Sequence, residues 1–491
     1  MPREDYLVTI GLEVHCQLST ESKMFCGCPV RFGEPPNTLT CPVCLGLPGA
    51  LPVLNAGAIE RTILTGLMLG CSTPPVVKWD RKNYFYPDMP KNYQTSQFDL
   101  PLCLGGGVPL YDTAYPRDWQ KKIVRPSHVI NLTRIHLEED VGKSTHHGNG
   151  PNGYTTLDFN RAGTPLMEIV SEPEIESAEE AVAYLNSLRQ ILIYGGVGDA
   201  DMEKGQMRCD VNISLRPHGQ QKLGTKIELK NLNSVSAIRR AIHHEIDRQA
   251  GDLDRGIPQV QSTLRWDDER GETALMRTKE DAHDYRYFPC PDLLPLHTPD
   301  LVATVRGRVP ELPHEKRARF VRDSGLTDYD AGVLASEKTL ADYFETAAAG
   351  AARPKAVANW IINDLLSALN AAGLGLEANP VSPAHLCELA TLVEEGKING
   401  AQAKEVFSEV FASGAAPAAV VKARGFEQVS DTGFLDDLIT QVLTVNADAV
   451  ERIKAGNDKA INALKGQVMK LSQGKANPKV VGELLEARLK A

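Results

Sequence analysis

The sequence contains no apolar run of the roughly 18 residues that a membrane-spanning helix needs. Its first ten residues, MPREDYLVTI, are acidic and lead directly into a strand-like pattern, unlike the positively charged start of a secretory signal. Hydrophobic residues make up 42% and charged residues 24%, which is typical of a globular protein. We therefore expect a cytoplasmic protein that binds no membrane, and 491 residues exceed what one compact core accommodates.

Several common catalytic motifs are also missing. There is no GxxxxGK[ST] phosphate loop and no GxGxxG after a strand, so a nucleotide site would be of neither common type. There is no G-x-S-x-G nucleophile elbow, and no cysteine lies in a recognisable glutaminase context. If the chemistry consumes ammonia, we expect another subunit to generate it.

The net charge of −10 argues against a protein that coats nucleic acid, but it is unevenly distributed. Residues 452–491 contain nine lysine or arginine residues and three acidic residues, a net charge of +6, which leaves −16 for the remainder. A basic end on an acidic body fits either a polyanion-binding segment or an ordinary solvated helical surface.

The patterning predicts an α+β protein with three domains. Residues 1–295 combine short alternating segments with occasional helices, such as one capped by Ser177 with Glu180 completing a capping box, and indicate a β-rich domain with an antiparallel sheet. Residues 296–410 and 411–491 have helical periodicity and predict two all-helical domains. Repeats of fixed period are absent.

Ten cysteines in a large cytoplasmic chain favour reduced thiols or metal ligands over disulfides. Four of them form two close pairs separated by twelve residues: Cys26, Cys28, Cys41 and Cys44. Four thiolates around one tetrahedral ion predict a structural zinc knot over residues 26–44, with no open coordination position for catalysis. Unliganded thiols in a loop are the alternative, and we expect Cys16 and Cys71 to be core residues.

Polar residues alternate with apolar ones along the predicted strands. In IGLEVHCQL, the side chains of Glu13, His15 and Gln17 share one face, and in RCDVNISL the side chains of Arg208 and Asp210 do the same. Such a polar face is also what an ordinary solvent-exposed side of a sheet looks like. Two further features favour chemistry: three consecutive acids at 138–140, and a glutamate at 168 inside an otherwise apolar strand, where an unpaired carboxylate is costly.

Carboxylates and one histidine around a hard cation, flanked by lysine and arginine, meet the requirements of metal-assisted phosphoryl transfer. The available bases are Lys82 in DRKNYFYPDMPK, Arg208, and Lys226 in KIELK. The patterns alone do not prove that these strands converge.

Seven blocks of sequence resemble, in order and spacing, the B subunit family of the bacterial tRNA-dependent amidotransferases. They are IGLEVHCQL, DRKNYFYPDMPKNYQTSQFD, LEEDVGKSTH, NRAGTPLMEIVSEP, RCDVNISLRP, KIELKNLNS and DYRYFPCPDLLPL. The resemblance extends over essentially the whole chain, including GQVMKLSQGKANP near its end.

The resemblance implies a heterotrimer with an amidase A subunit and a small C subunit. It implies an ATP-dependent carbon–nitrogen ligase with glutamine as the amido donor, acting on Glu-tRNA(Gln), Asp-tRNA(Asn) or both. The B subunit of this family is a β-rich cradle followed by a helical domain and a helical tail that binds tRNA. It uses ATP and Mg²⁺ to phosphorylate the side-chain carboxylate, and ammonia then displaces phosphate.

The resemblance also implies roles for individual residues. His15, Glu139 and Glu168 match the family's magnesium ligands, Glu13 and Asp210 its neighbouring active-site acids, and Lys82 a basic active-site position. Arg208 and Lys226 are our own additions as phosphate partners, and Gln17 is unassigned. The rival hypotheses are a zinc-bearing, non-catalytic tRNA-binding scaffold and, less favoured, a free-standing metallohydrolase that needs neither ATP nor partners.

Overall fold

The computed structural model describes residues 5–125, 127–148, 152–278, 284–426, 432–447, 450, 459–472, 476 and 478–490. The chain divides into two compact units, Met1–His314 and Glu315–Ala491. The first contains a large sheet and the second is built of helices, so the predicted α+β class is confirmed. The predicted domain boundaries at residues 295 and 410 stay predictions.

The strands of the described chain all belong to the first unit. They are β1 (Tyr6–Gln17), β2 (Val76–Val77), β3 (Asp80–Asn83), β4 (Tyr93–Ser96), β5 (Cys103–Leu104), β6 (Gly107–Tyr111), β7 (Ser127–Glu139), β8 (Lys143–His147), β9 (Tyr154–Asp158), β10 (Pro165–Ser171), β11 (Met207–Pro217), β12 (Ile227–Lys230), β13 (Ser262–Asp267), β14 (Glu272–Thr278), β15 (Phe288–Pro289) and β16 (Leu296–His297).

The large sheet has the strand order β14-β13-β12-β11-β1-β10-β7-β5, with β6 also paired to β7. β1 is therefore central, between β10 and β11, and both of these pairings are antiparallel. One pairing departs from the predicted antiparallel arrangement, because β12 and β13 are parallel. A parallel pair needs a crossover, and the helix Val235–Asp254 between these strands supplies it.

The apolar half of β1 lies in the main core. Ile10, Leu12, Val14 and Cys16 are at most 1% exposed, as the alternation predicts, and Cys71 is also buried. They belong to one buried cluster with residues of the helices α1 (Ala56–Met68), α2 (Ala178–Tyr194) and α3 (Val235–Asp254). Because these helices cover one side of the sheet, the polar residues of β1 are left for the other side.

The predicted start of α2 is largely confirmed. Ser177 Oγ accepts a hydrogen bond from the backbone N–H of Glu180, and Gly195 and Gly196 follow the last turn. The predicted capping box is wrong in its second half. The Glu180 carboxylate accepts from the N–H of Glu176 instead, and it is held there by Arg125, whose guanidinium donates to both of its oxygens at 2.8 Å.

Regular structure in the described part of the chain from α4 onward is helical. The helices are α4 (Pro299–Arg306), α5 (Pro313–Ser324), α6 (Asp328–Leu334), α7 (Lys338–Ala348), α8 (Pro354–Asn359), α9 (Leu366–Ala372), α10 (Pro383–Glu394), α11 (Gly400–Ser413), α12 (Pro417–Arg424), α13 (Thr432–Val445), α14 (Lys459–Leu471) and α15 (Pro478–Lys490). A π-helical turn, Trp360–Leu365, joins α8 to α9. Taken singly, none of the described helices has the length and apolar composition of a membrane span, although the sharply bent pair α11 and α12 meets both criteria jointly.

Candidate functional site

The registers of four strands place charged residues in one row across the sheet. His15 on β1 lies opposite Arg208 on β11 and opposite Glu168 on β10, and Glu168 lies opposite His136 on β7. Since residues in register share a face, the four side chains project to the side of the sheet away from the main core. The convergence that the sequence patterns could not prove is present.

Two carboxylates and two imidazoles meet in the middle of this row. Glu168 Oε2 lies 3.1 Å from His15 Nε2 and 3.2 Å from His136 Nε2. Glu138, two residues beyond His136 on β7, brings its Oε1 to 3.9 Å from His15 Nε2 and its Oε2 to 3.5 Å from His136 Nε2. Ser96 Oγ donates to Glu138 Oε2 at 2.9 Å. We call His15, His136, Glu138 and Glu168 the acid cluster.

The structure does not bring Glu139, the third predicted magnesium ligand, to the acid cluster. Successive residues of a strand face opposite ways, so Glu139 projects away from Glu138. Its buried carboxylate pairs with Lys91 and accepts a hydrogen bond from the N–H of Thr95 at 2.9 Å. Glu138 occupies the position predicted for Glu139, and its donor atoms lie within 4.8 Å of those of His15 and Glu168.

Within the acid cluster, the imidazoles and the carboxylates shift each other's pKa values. Burial alone would lower the pKa of both imidazoles, but Glu168 and Glu138 raise the pKa of His136 to about 9 and also raise the pKa of His15. Burial would raise the pKa of both carboxyl groups, but His136 and His15 hold the pKa of Glu168 well below its usual range, and His136 lowers the pKa of Glu138. The imidazoles therefore favour the ionised form of the carboxyl groups, and the carboxylates favour the protonated form of the imidazoles.

Lys82, on β3, lies beside the acid cluster. Burial would lower the pKa of its ammonium, but the charges of Glu138 and Glu168 raise it. Its Nζ lies 4.9 Å from the centre of the Tyr285 ring. No carboxylate oxygen of the described residues is within 4 Å of this ammonium, so it is available to an anionic group that enters the site.

Arg208 is fixed by a buried carboxylate. Asp140, immediately after β7, is 2% exposed, and its Oδ2 lies 2.8 Å from Arg208 Nη2 and 3.6 Å from Arg161 Nε. Burial would raise the pKa of Asp140, but Arg208 and Arg161 lower it. Gln17 Nε2 donates to the same oxygen at 2.8 Å. The residue that sequence analysis left unassigned thus supports the carboxylate that holds Arg208.

A second group of acids lies one step along the same strands. Glu13 and Asp210 are in register, and Glu228 on β12 completes a set whose oxygen atoms lie within 4.8 Å of one another. Lys230 lies beside them, with its Nζ 2.5 Å from Asp210 and 3.1 Å from Glu228, and Arg277 Nη2 lies 3.9 Å from Glu228. Lys226, the predicted phosphate partner, is exposed just before β12 begins, so the structure does not bring it to these acids.

The four predicted zinc ligands converge. The sulfurs of Cys26, Cys28, Cys41 and Cys44 lie within 4.8 Å of one another, and we call them the cysteine cluster. A hydrogen bond from Cys26 and the charge of Lys23 lower the pKa of the Cys44 thiol to about 4, against the effect of burial. Lys23 is 1% exposed and donates to the carbonyl of Leu39, inside the loop between the two pairs. Four soft sulfurs with one thiolate already favoured suit a tetrahedral zinc ion.

Three residues of the site were missed or misplaced by sequence reasoning. His136 carries the signal of a polar residue between Ile135 and Leu137 in a strand, the same signal that identified Glu168. Choosing Glu138 over Glu139 requires the pairing of β7 with β10, which no single-strand pattern reveals. Lys230 shares its face with Lys226, and only the strand register separates the two.

The chain matches two family models. One, described as the GatB/GatE catalytic domain, covers residues 8–303, and the other, described as the GatB domain, covers residues 342–489. Curated relatives, each named as the B subunit of an aspartyl/glutamyl-tRNA(Asn/Gln) amidotransferase, are similar over nearly their whole length. The protein of Methylacidiphilum infernorum is 53% identical with 99% of both chains covered. That of Opitutus terrae is 50% identical over 99% of this chain and 100% of the relative, and that of Burkholderia pseudomallei is 48% identical over 98% and 99%.

Proposed function

Because the chain belongs to the family of aspartyl/glutamyl-tRNA(Asn/Gln) amidotransferase B subunits, we propose that its sheet-containing unit activates the side-chain carboxylate of an amino acid misattached to tRNA. The observation that carries this proposal is the acid cluster, in which three strands bring His15, Glu138 and Glu168 together beside Lys82 and Arg208.

The proposed reaction has two steps. A carboxylate oxygen of Glu-tRNA(Gln) or Asp-tRNA(Asn) attacks the γ-phosphorus of ATP, the bond from that phosphorus to ADP breaks, and an acyl phosphate forms. Ammonia then attacks the carbonyl carbon and the bond from that carbon to the phosphate oxygen breaks. The amide forms, and the proton that the nitrogen loses leaves with the phosphate as HPO4²⁻. The first step is needed because a carboxylate is a poor electrophile, whereas phosphate is a good leaving group.

The donor set of the acid cluster fits a divalent cation such as Mg²⁺. His15, Glu138 and Glu168 would hold it, since two ionised carboxylates facing one space supply hard oxygen ligands. A bound cation would supply charge neutralisation on the phosphate oxygens. His136 stays beside both carboxylates and limits their movement through its contacts at 3.2 and 3.5 Å.

The surrounding bases orient the phosphates. Lys82 and Arg208 provide positive charge on two sides of the acid cluster, and Arg208 is held in place by Asp140. Lys230 replaces Lys226 as the third base, positioned by Asp210 and Glu228, with Glu13 completing this second group. Together, these side chains bind the nucleotide and orient its phosphates.

The partners follow from the chemistry and the family. The proposed reaction consumes ammonia, which we assign to an amidase A subunit, with a small C subunit completing a heterotrimer. The basic tail is proposed as the tRNA contact, and such a contact weakens as salt increases. Among its nine basic residues, Lys465 and Lys470 lie on α14, and Arg488 pairs with Asp436 at 2.6 Å; Arg452, Lys454 and Lys475 lie outside the described residues.

The cysteine cluster is proposed as a structural zinc site. A closed four-sulfur shell leaves no position for substrate, so its contribution is to order the loop of residues 26–44. The cytoplasmic location stays a prediction.

The test is Glu168→Gln, assayed in the complex with its partner subunits. We expect the tRNA-dependent consumption of labelled ATP to fall by about 10²-fold or more, because a ligand charge is lost without a change of shape. Binding of tRNA and hydrolysis of glutamine should persist. Glu172→Gln is the matched control, since its carboxylate lies just beyond β10 and bonds Thr133 rather than the acid cluster.

The same experiment separates the rival functions. Normal turnover by Glu168→Gln would favour the non-catalytic scaffold, whose function would not depend on this charge. Turnover without ATP and without partner subunits would favour the metallohydrolase.

A further inference from the structure

The buried ion pair between Lys91 and Glu139 lies between the cysteine cluster and the acid cluster. The two side chains are only 9% and 3% exposed. A buried pair of this kind is costly to desolvate and is retained in a fold only where its geometry is well supported. It belongs to neither proposed metal site, so its position needs its own explanation.

On one side, the pair is attached to the strand that carries Glu138. Glu139 is the last residue of β7, and it lies opposite Pro165, which has no N–H to donate to the ladder. Other contacts compensate: the Glu139 carboxylate accepts from the N–H of Thr95, and the Gln94 amide donates to the Glu139 carbonyl at 2.7 Å. Holding Glu139 by its side chain and its carbonyl fixes the peptide that bears Glu138.

On the other side, Lys91 is enclosed by the loop that carries the cysteine cluster. Its Nζ lies 5.4 Å from the centre of the ring of Phe25, the residue before Cys26. Its stem packs against Gly46, two residues after Cys44, so closely that a Cβ at Gly46 would lie 2.5 Å from Lys91 Cγ and 3.0 Å from its Cα. Both ends of the cysteine segment therefore determine where this ammonium can lie.

We propose that Lys91 is a positioning residue for the divalent-cation site: it holds Glu139, and through it Glu138, at a position that the cysteine loop determines. The inference rests on the proposed function, because it presupposes that His15, Glu138 and Glu168 bind a cation. It gives the cysteine cluster a specific role: the cluster maintains the geometry of the divalent-cation site although none of the four cysteines belongs to that site.

The experiment measures Mn²⁺ binding by the electron paramagnetic resonance of the free ion, using the full chain in its complex without nucleotide. We expect Lys91→Met to raise the Mn²⁺ dissociation constant by about tenfold, at the low end of the effect of losing an outer-shell partner, because Lys91 acts on Glu138 through the neighbouring Glu139. Lys91→Arg keeps the charge and should recover most of the affinity. Gly46→Ala, which places a Cβ against Lys91 at a position whose φ of +67° also disfavours alanine, should weaken binding in the same direction.

Arg248→Met is the matched control. Arg248 also pairs with a fully buried carboxylate of the first unit, that of Glu245, but on α3 and outside both clusters. It should lower the melting temperature and leave the Mn²⁺ dissociation constant unchanged. A Lys91→Met effect that Arg248→Met reproduces at equal loss of stability would overturn the proposal.

Glu168→Gln separates the proposal from its premise. If Glu168→Gln abolishes Mn²⁺ binding while Lys91→Met and Gly46→Ala bind as the wild type does, Lys91 has no positioning role and the cation site stands. If Glu168→Gln binds Mn²⁺ normally, the proposed cation site is wrong and the role of Lys91 fails with it. Should Lys91→Met not fold, Glu139→Gln removes the same pair without a change of shape, and its affinity decides in the same way.

Discussion

The cysteine cluster and the acid cluster are both candidate metal sites, but they are assembled in opposite ways. The four sulfurs come from one segment, residues 26–44, whose members range from buried to partly exposed. The acid cluster takes His15, Glu138 and Glu168 from three strands that are far apart in sequence and brought together by sheet register. One site is made by a local loop, whereas the other requires the whole sheet.

The two clusters also differ in how their charge is balanced. Within the described residues, Lys23 is the cation that contacts a sulfur of the cysteine cluster, at 3.7 Å from Cys44. The carboxylates of the acid cluster contact two imidazoles and lie near the ammonium of Lys82. We therefore expect the cysteine loop to depend on the proposed zinc ion for its order, while the acid cluster is organised by its own side chains before a cation arrives.

The largest expected effect is therefore on the cysteine cluster, in Cys41→Ser/Cys44→Ser. We expect zinc to fall from about one ion per chain to none, and the melting temperature of the complex to fall by roughly 10 °C, since the metal stabilises the folded loop. Metal analysis of protein purified without chelator and calorimetry provide the measurements.

The control for this variant is Cys387→Ser, a thiol outside the cluster in the second unit. Zinc that is retained in the double variant, or a melting temperature that does not move, would contradict the contrast between a metal-dependent loop and a preorganised sheet site.

The same contrast explains how much the sequence could predict. The spacing of the four cysteines predicted the convergence of their sulfurs, because the residues are close along the chain and any compact loop brings them together. Alternation along β1 predicted that His15 lies on the face opposite its apolar residues, and the lone carboxylate in an otherwise apolar segment marked Glu168 as a residue that needs a cationic partner. Only the strand register shows that the two lie opposite each other. The α+β class also followed from such local periodicities.

The errors in the sheet and its site depend on pairing between distant strands, whereas the error in the capping box depends on the distant Arg125, which holds the Glu180 carboxylate. Three consecutive acids at 138–140 alternate in direction, and only the alignment of β7 with β10 decides that the first of them joins His15 and Glu168. Likewise, the parallel pairing of β12 with β13 depends on how α3 packs, which local patterns do not encode.

The second prediction compares Lys230→Met with Lys226→Met. It tests whether strand register, rather than position along the sequence, decides which lysine contributes to the site. Lys230→Met removes a contact to two carboxylates that are about one-fifth exposed, so we expect the KM for ATP to rise roughly tenfold, equivalent to about 1.4 kcal/mol. Lys226→Met should change it less than twofold because that side chain is exposed before the strand begins. Initial rates at varied ATP in the complex measure both, and equal effects of the two variants would contradict the assignment of Lys230.

The smallest expected effect is that of Gln17→Leu, at the rim of the acid cluster. The change removes one hydrogen bond to the Asp140 carboxylate, which keeps Arg208 at 2.8 Å and Arg161 at 3.6 Å. We expect the free energy of unfolding to fall by about 1 kcal/mol and the KM for ATP to rise by less than Lys230→Met raises it. Gln220→Leu, an exposed glutamine that bonds only a nearby loop carbonyl, should change neither quantity. If Gln17→Leu instead weakened ATP use as much as Lys230→Met does, Arg208 would depend on this single amide, and the acid cluster would be less preorganised than its several contacts indicate.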